Sequence, residues 1–114
     1  MSTVVIIGHF RLPVESLDAA REPMARVVMA TRAEPGCIKY AYASEPGDPG
    51  LIHVSEVWES QAALDAHLRS ENFLRVLGAI ELSSAPPEVT FDYVSATGGM
   101  EVIQRARGPD EKAG

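Results

Sequence analysis

The stretch Glu56-Val57-Trp58-Glu59-Ser60-Gln61-Ala62-Ala63-Leu64-Asp65-Ala66-His67-Leu68-Arg69-Ser70-Glu71-Asn72-Phe73 sets a strand end, a corner and a helix in one continuous run. Leu51 to Trp58 reads as a strand, and Ser60 stands where a helix N-cap is wanted. Leu64, His67 and Leu68 then fall at i, i+3 and i+4, on one helix face. The side-chain period changes near Glu59, so the chain must turn there. An aromatic ends the strand and a histidine lies on the inward face of the helix. Both can look into one interior space, and the rest of the chain offers little competing chemistry.

With 114 residues, the chain is one domain with a core of limited size. A net charge of -6 argues against nucleic acid or an anionic membrane as a partner bound through bulk charge. No apolar run approaches the length of a membrane span. Val4 to Ile7 is too short for a signal-peptide core and lacks a basic flank. The single cysteine, Cys37, permits no intrachain disulfide and fits a reducing cytoplasm, the expected location. It reads as a small buried thiol on a strand, with a redox or nucleophilic role as the alternative.

Thr3 to Phe10 is rich in Val and Ile and reads as the first strand. Ser16 is placed to cap a helix whose stripe is Leu17, Ala20, Met24, Val27, Val28 and Thr31. Pro23 either kinks that helix or marks where its regular part begins. Glu34-Pro35-Gly36 closes it. Cys37 to Ser44 alternates Cys37, Lys39, Ala41 and Ala43 against Ile38, Tyr40, Tyr42 and Ser44. Glu45 to Gly50 reads as a hairpin loop. The third strand follows, then the helix from about Gln61. Ser70 can cap a further segment carrying Phe73, Val76, Leu77 and Ile80. Ala85-Pro86-Pro87 is a linker, Val89 to Ala96 a last strand, and Gly98-Gly99 its end. Met100 to Ala106 is expected to be a short strand or an arm, and Gly108 to Gly114 a frayed tail.

The order is β-α-β-β-α-β, the split βαβ or ferredoxin-like arrangement, an α+β fold with helices over one face of an antiparallel sheet. Residues 1–98 form that domain and 99–114 a C-terminal extension. Strands one and three are apolar on both sides. Val4, Ile6 and Phe10 oppose Val5 and Ile7, and Ile52, Val54 and Trp58 oppose Leu51 and Val57. A small domain has no second layer for the outer face, so a homodimer packed sheet to sheet is expected.

Trp58-Glu59-Ser60, Ala63-Leu64, His67, Ser70 and Phe73 together resemble the antibiotic biosynthesis monooxygenase family. Glu34-Pro35-Gly36-Cys37 with Tyr40 in the following strand is similar to that family as well. The resemblance runs from about Thr3 to Tyr93. It implies a dimeric α/β barrel. It also implies relatives that oxidise quinols or polycyclic phenols with dioxygen and neither metal nor flavin, beside others that degrade heme. In the heme-degrading relatives, the resemblance implies a tryptophan at the position of His67, an iron-ligating histidine at that of Leu77, and an asparagine near Gly8 to Phe10. This chain departs at all three, and His67 matches the generic family histidine.

Cofactor-free oxygenation needs an electron-rich substrate whose anion gives an electron to dioxygen. The protein must supply a base, an apolar pocket and a hydrogen-bond donor for the developing charge. Histidine suits the base role, with an ordinary pKa of about 6.5. His67 faces inward, either as base or as a core histidine bonded to a carbonyl or carboxylate. His53 is a cavity residue or a dimer-face residue, and His9 a strand-end one. Trp58 is either a pocket wall donating its indole N–H or a core anchor. Tyr40 and Tyr42 share a strand face and either bracket an aromatic substrate or pack across strands. Glu56 can orient a histidine, pair with an arginine such as Arg11, or stand on the rim. The expected catalytic set is His67, His53 and Trp58, with Tyr40, Tyr42, Glu56 and Leu64 contacting substrate.

No histidine pair has helical metal-ligand spacing and Cys37 has no partner cysteine, so no metal is expected. No P-loop, dinucleotide fingerprint or nucleophile elbow is present, and no cofactor is expected. The function expected is a cofactor-independent monooxygenase acting on a quinol or polyphenol. The alternative is a non-catalytic or stress-responsive barrel that binds small aromatic ligands.

Overall fold

The computed structural model describes residues 2–108. Strand β1 (Val4–Arg11) leads through a short 3-10 turn (Val14–Ser16) into helix α1 (Leu17–Arg32). Strands β2 (Cys37–Glu45) and β3 (Asp48–Trp58) follow as a hairpin. Helices α2 (Gln61–Leu68) and α3 (Glu71–Ile80), strand β4 (Glu88–Tyr93) and helix α4 (Met100–Arg107) complete the described chain. The sheet has the order β2-β3-β1-β4 with every neighbour antiparallel, the ferredoxin-like topology. It is open, and does not close into a barrel within one chain.

Register sorts the side chains by face. Val4 pairs with Trp58, Ile6 with Glu56, Gly8 with Val54 and Phe10 with Ile52, all on the face the helices cover. Val5, Ile7 and His9 alternate with them and lie on the uncovered face, opposite Val57, Ser55 and His53. Two apolar clusters sit under the helices. One holds Val4, Ile6, Val27, Tyr40, Trp58 and Leu64, and the other Phe10, Leu12 and Ile52.

Several local expectations change. Helix α1 begins at Leu17 and runs through Pro23. The preceding 3-10 turn already orders the backbone at Ser16, whose side chain makes no capping bond. The hairpin loop is shorter than the run of Pro and Gly suggests. Glu45 pairs with Asp48, leaving only Pro46 and Gly47 as the turn, and Gly47 takes φ 81, which a type II turn requires after proline. A bulge between Cys37 and Lys39 breaks the simple alternation of β2. It puts Cys37 opposite Trp58 on the covered face, with Tyr40 and Tyr42. Strand β4 stops at Tyr93. Met100–Arg107 is a helix and not a short strand, and all its residues are exposed. Of the expected frayed tail, residues 109–114 lie outside the described residues. Among the described residues, no helix is long and apolar enough to cross a membrane.

Two serines fix the corner below the sheet. Ser60 Oγ accepts from the Ala63 N–H at 3.1 Å and caps α2. Ser70 Oγ donates to the His67 carbonyl at 2.6 Å and accepts from the Phe73 N–H at 3.2 Å. One hydroxyl thus ends α2 and starts α3, setting His67 and Phe73 side by side. Gly36 locks the same corner from the other side. Its carbonyl accepts from the Glu59 N–H at 2.9 Å. Its φ is +82, and a Cβ there would lie 2.5 Å from that of Ala63. Gly47 has a similar φ but open space around it. Gly47→Ala is therefore expected to cost about 1–2 kcal/mol from backbone conformation alone, and Gly36→Ala clearly more. Denaturant midpoints of the two variants check this, and equal losses would show that the α2 corner yields freely.

Candidate functional site

The interior under β2, β3 and α2 contains one imidazole between two carboxylates. His67 is 1% exposed. Its ring stacks on Trp58, with centroids 4.6 Å apart and planes at 26°. Tyr40 and Phe73 meet it edge-on at 5.6 and 5.5 Å. His67 Nδ1 lies 3.0 Å from Glu34 Oε1, and Glu34 Oε2 accepts from Asn72 Nδ2 at 2.7 Å. On the other side, His67 Nε2 stands 4.0 Å from Glu56 Oε1. Glu56 Oε1 accepts from the Trp58 indole N–H at 2.9 Å. An ionised carboxylate only accepts, so the Glu34 contact assigns a proton to Nδ1. Nε2 is then left without a hydrogen-bond partner inside the fold, facing a carboxyl that is slightly too far away.

The two ends of this row open differently. Glu56 lies at the wall of a cavity of about 120 Å³ between the sheet and α3. Ile6, Phe10, Val54, Phe73 and Val76 make that cavity largely apolar, Tyr42 adds a hydroxyl, and the more exposed His9 and Glu88 also border it. Glu34 lines a separate surface groove beside Asn72 and Arg75. The row Glu56, His67, Glu34 thus crosses from an apolar cavity to solvent. Burial holds the Glu56 carboxyl above the ordinary carboxylate range, against the lowering pull of the Trp58 N–H and of His67. Burial also pushes Tyr42 up to about 12 and Tyr40 further. Their hydroxyls bond to each other, so near neutrality they are hydrogen-bonding groups and not bases.

The expected site residues divide accordingly. His67, Trp58, Tyr40, Tyr42 and Glu56 come together. Of these, only Tyr42 and Glu56 line the cavity. His67 stands one layer behind Glu56, so direct access to substrate from its ring is not what the packing provides. Trp58 is fully buried and Leu64 is 1% exposed in the core cluster, so both support the site from behind. Tyr40 is buried under His67 and does not bracket a ligand with Tyr42. His53 is not a cavity residue. It lies on the uncovered face, bonded to Glu45 at 2.6 Å and edge-on to His9. Arg11 does not reach Glu56, because it holds Asp48 through two bonds of 3.0 and 2.9 Å. These bonds keep Asp48 below the usual carboxylate range. The Cys37 thiol is pushed up by burial and by the charge of Glu34, which disfavours a nucleophilic thiolate. Glu34 and Asn72 complete the site, and neither stands out as a site residue in the sequence. Among the described residues, no group of three or more His, Cys, Asp or Glu side chains is arranged to hold a metal ion.

The raised Glu56 carboxyl makes stability depend on pH with a definite sign. The folded state keeps a proton that the unfolded chain has already released. Stability therefore falls as pH rises from the ordinary carboxylate value through the raised one. Glu56→Gln can still accept from Trp58 but carries no titrating proton. Its melting midpoint is expected to gain on that of the parent as pH climbs through this window. Melts of both proteins at several pH values between about 4 and 8 check this, and parallel curves would show that Glu56 does not titrate inside the fold.

The sequence model of the antibiotic biosynthesis monooxygenase family matches residues 3–78. A Mycobacterium tuberculosis protein provisionally named a monooxygenase, Rv0793, is 32% identical over 90 residues, 78% of this chain and 88% of that protein. The structure of Rv0793 superposes with a TM-score of 0.74 at 27% identity, covering 86% of this chain and 100% of the other. A crystal structure described as an antibiotic biosynthesis monooxygenase gives a TM-score of 0.74 at 26% identity, covering 82% of this chain and 99% of that one. The uncharacterised protein sll1783 of Synechocystis is 24% identical over 95 residues, 82% of this chain, and the match spans 65% of its length. The matched segment contains Glu34, Glu56, Trp58, His67 and Asn72, and with it this chain belongs to the antibiotic biosynthesis monooxygenase family.

Proposed function

We propose that the chain is a cofactor-independent monooxygenase that oxidises a quinol or other electron-rich phenol in the cavity beside Glu56. The observation that carries this reading is a buried carboxylate, held above its ordinary range, at the wall of a largely apolar cavity and backed by a relay to solvent. Glu56 is the base nearest the substrate and His67 a positioning residue that receives the proton. In its ionised form Glu56 takes the phenolic proton, and the resulting anion gives one electron to dioxygen. Superoxide and the aryl radical recombine at a ring carbon bearing hydrogen, and a proton completes the hydroperoxide. Loss of that ring proton as the O–O bond breaks leaves a quinone and one water. A phenol and dioxygen thus become a quinone and water, with no external reductant. The apolar wall suits the neutral ring, and Glu34 returns the proton to solvent through the groove.

Oxygen uptake by metal-stripped protein with a panel of hydroquinones and naphthols tests the reading. Glu56→Gln is expected to lower turnover by about 10²–10⁴-fold, with partial recovery at high pH where the phenol ionises unaided. His67→Gln should lower turnover less and move the acid limb of the pH profile. Full activity of folded Glu56→Gln protein would remove the assignment. A second reading, a non-catalytic binder of small aromatic ligands, is favoured by one observation: both His53 and His67 are bonded to carboxylates and neither lines the cavity. Binding of the panel with no oxygen uptake would select it.

The uncovered sheet face supports a further part of the proposal, that two copies pack face to face. Ile7 is 52% exposed there, and Val5 and Val57 pair beside it. Light scattering at micromolar concentration is expected to report twice the chain mass, and Ile7→Glu to halve it. A monomeric parent would overturn the dimer.

A further inference from the structure

We infer that the cleft between α1 and α3 is a binding site for an aromatic anion, with Arg75 as the group that holds its charge. The cleft measures about 440 Å³, within the range of ordinary ligand sites, and adjoins the inner cavity of about 120 Å³. Phe10, Tyr42 and Val76 line both spaces. They form a common wall, so a molecule seated in the cleft lies against the cavity that Glu56 faces. The inference deepens the proposed reaction and rests on it only for the chemistry at Glu56.

Four features of the cleft point to an occupant. Arg75 is the one charged residue lining it. Its guanidinium donates to the neutral Asn72 Oδ1 at 3.2 Å and makes no ion pair among the described residues. Arg75 also borders the groove that holds Glu34, Glu59 and Glu71, yet it pairs with no carboxylate among the described residues, which leaves its charge open to an anion in the cleft. Gly78 stands in the interior of α3, where glycine is about 1 kcal/mol worse than alanine. Nothing lies within 4 Å of where its Cβ would be, so packing within the fold does not require the missing side chain. The space it leaves belongs to the cleft. Pro23 also lines the cleft. Having no N–H, it leaves the Ala19 carbonyl, four residues back on the same wall, without its helical donor. A ligand hydroxyl can use that acceptor. Finally, Asn72 joins the cleft to the buried row, because the side chain that holds Arg75 also donates to Glu34. The ligand class is therefore a flat apolar molecule with a carboxylate or similar anionic group at one end.

Calorimetric titration with 2-naphthoate and its neutral analogue 2-naphthalenemethanol tests this. The parent is expected to prefer the anion by about tenfold, the scale of one charge-assisted bond. Arg75→Gln keeps an amide able to bond Asn72 and should abolish the preference while leaving the neutral compound unchanged. Gly78→Leu should weaken both compounds by tenfold or more with a melting midpoint equal to or above that of the parent. No preference for the anion in the parent would overturn the inference. So would a folded Gly78→Leu protein that binds naphthoate as the parent does. An early melt of Gly78→Leu would mean that the space beside residue 78 is filled in solution, and would overturn it equally. Naphthoate binding needs no turnover, so failure of quinol oxidation would sink the proposed reaction and leave the cleft standing.

Discussion

The contact on which the rest depends is the stack of Trp58 on His67 between two carboxylates. Burying charge in a small domain is costly unless each group finds partners. Here Trp58 gives its N–H to Glu56, His67 and Asn72 hold Glu34, and Ser70 holds the backbone carbonyl of His67. Only the His67 Nε2 and Glu56 pair stays loose, at 4.0 Å. The surrounding corner is correspondingly rigid. Gly36 crosses against Ala63, and Ser60 and Ser70 fix both ends of α2. A short helix of eight residues would be marginal alone, and its position comes from these ties and not from its own propensity.

The element order was legible because strands and helices carry different patterns. β1 and β3 are short runs rich in Val and Ile and apolar on both faces, and α2 brings Leu64 and His67 to one face and ends at a serine that also begins α3. The burial of His67 and Trp58 follows from that pattern. Glu34 and Asn72 were not legible as site residues, because each meets its partner across more than thirty residues. Nothing local in Glu34-Pro35-Gly36 says what its carboxylate will meet once α1, α2 and α3 have packed. The role of Glu56 was half legible. Its strand face was readable from Trp58, but the choice between Arg11 and His67 depends on Asp48, which captures Arg11. The bulge at Cys37 and the helix at Met100–Arg107 were missed for another reason. A bulge is a property of two strands together, and Gly98-Gly99 marks a break without specifying the conformation of the next segment.

The uncovered sheet face and the covered one carry different chemistry although they share strands. Period-two alternation puts Glu56 inward and His53 outward on the same strand. Inward, a carboxylate meets indole, imidazole and apolar walls. Outward, two histidines meet across β1 and β3, with Glu45 and Glu88 beside them. A slip of one residue in the register of β3 would exchange these environments. The tight Pro46-Gly47 turn and the Val4–Trp58 pairing that hold the register are therefore conditions for the site as much as for the fold.

Position along the row decides which group can act on a bound molecule. A base must reach the proton it removes. His67 is enclosed by Trp58, Tyr40 and Phe73 and has no surface on the cavity. Glu56 has that surface, and burial raises its carboxyl above the ordinary carboxylate range, against the lowering pull of the Trp58 N–H and His67. An ordinary exposed carboxylate is too weak a base for a phenol, and a fully isolated buried one would stay protonated. In the proposed reaction the imidazole behind Glu56 receives the proton, which leaves the carboxylate ionised beside an aromatic N–H. In that proposed step Glu34, 3.0 Å from His67 Nδ1, is the counter-charge for the ring. A fourth group, Asn72, aims that carboxylate and at the same time accepts from Arg75, which lines the α1 and α3 cleft.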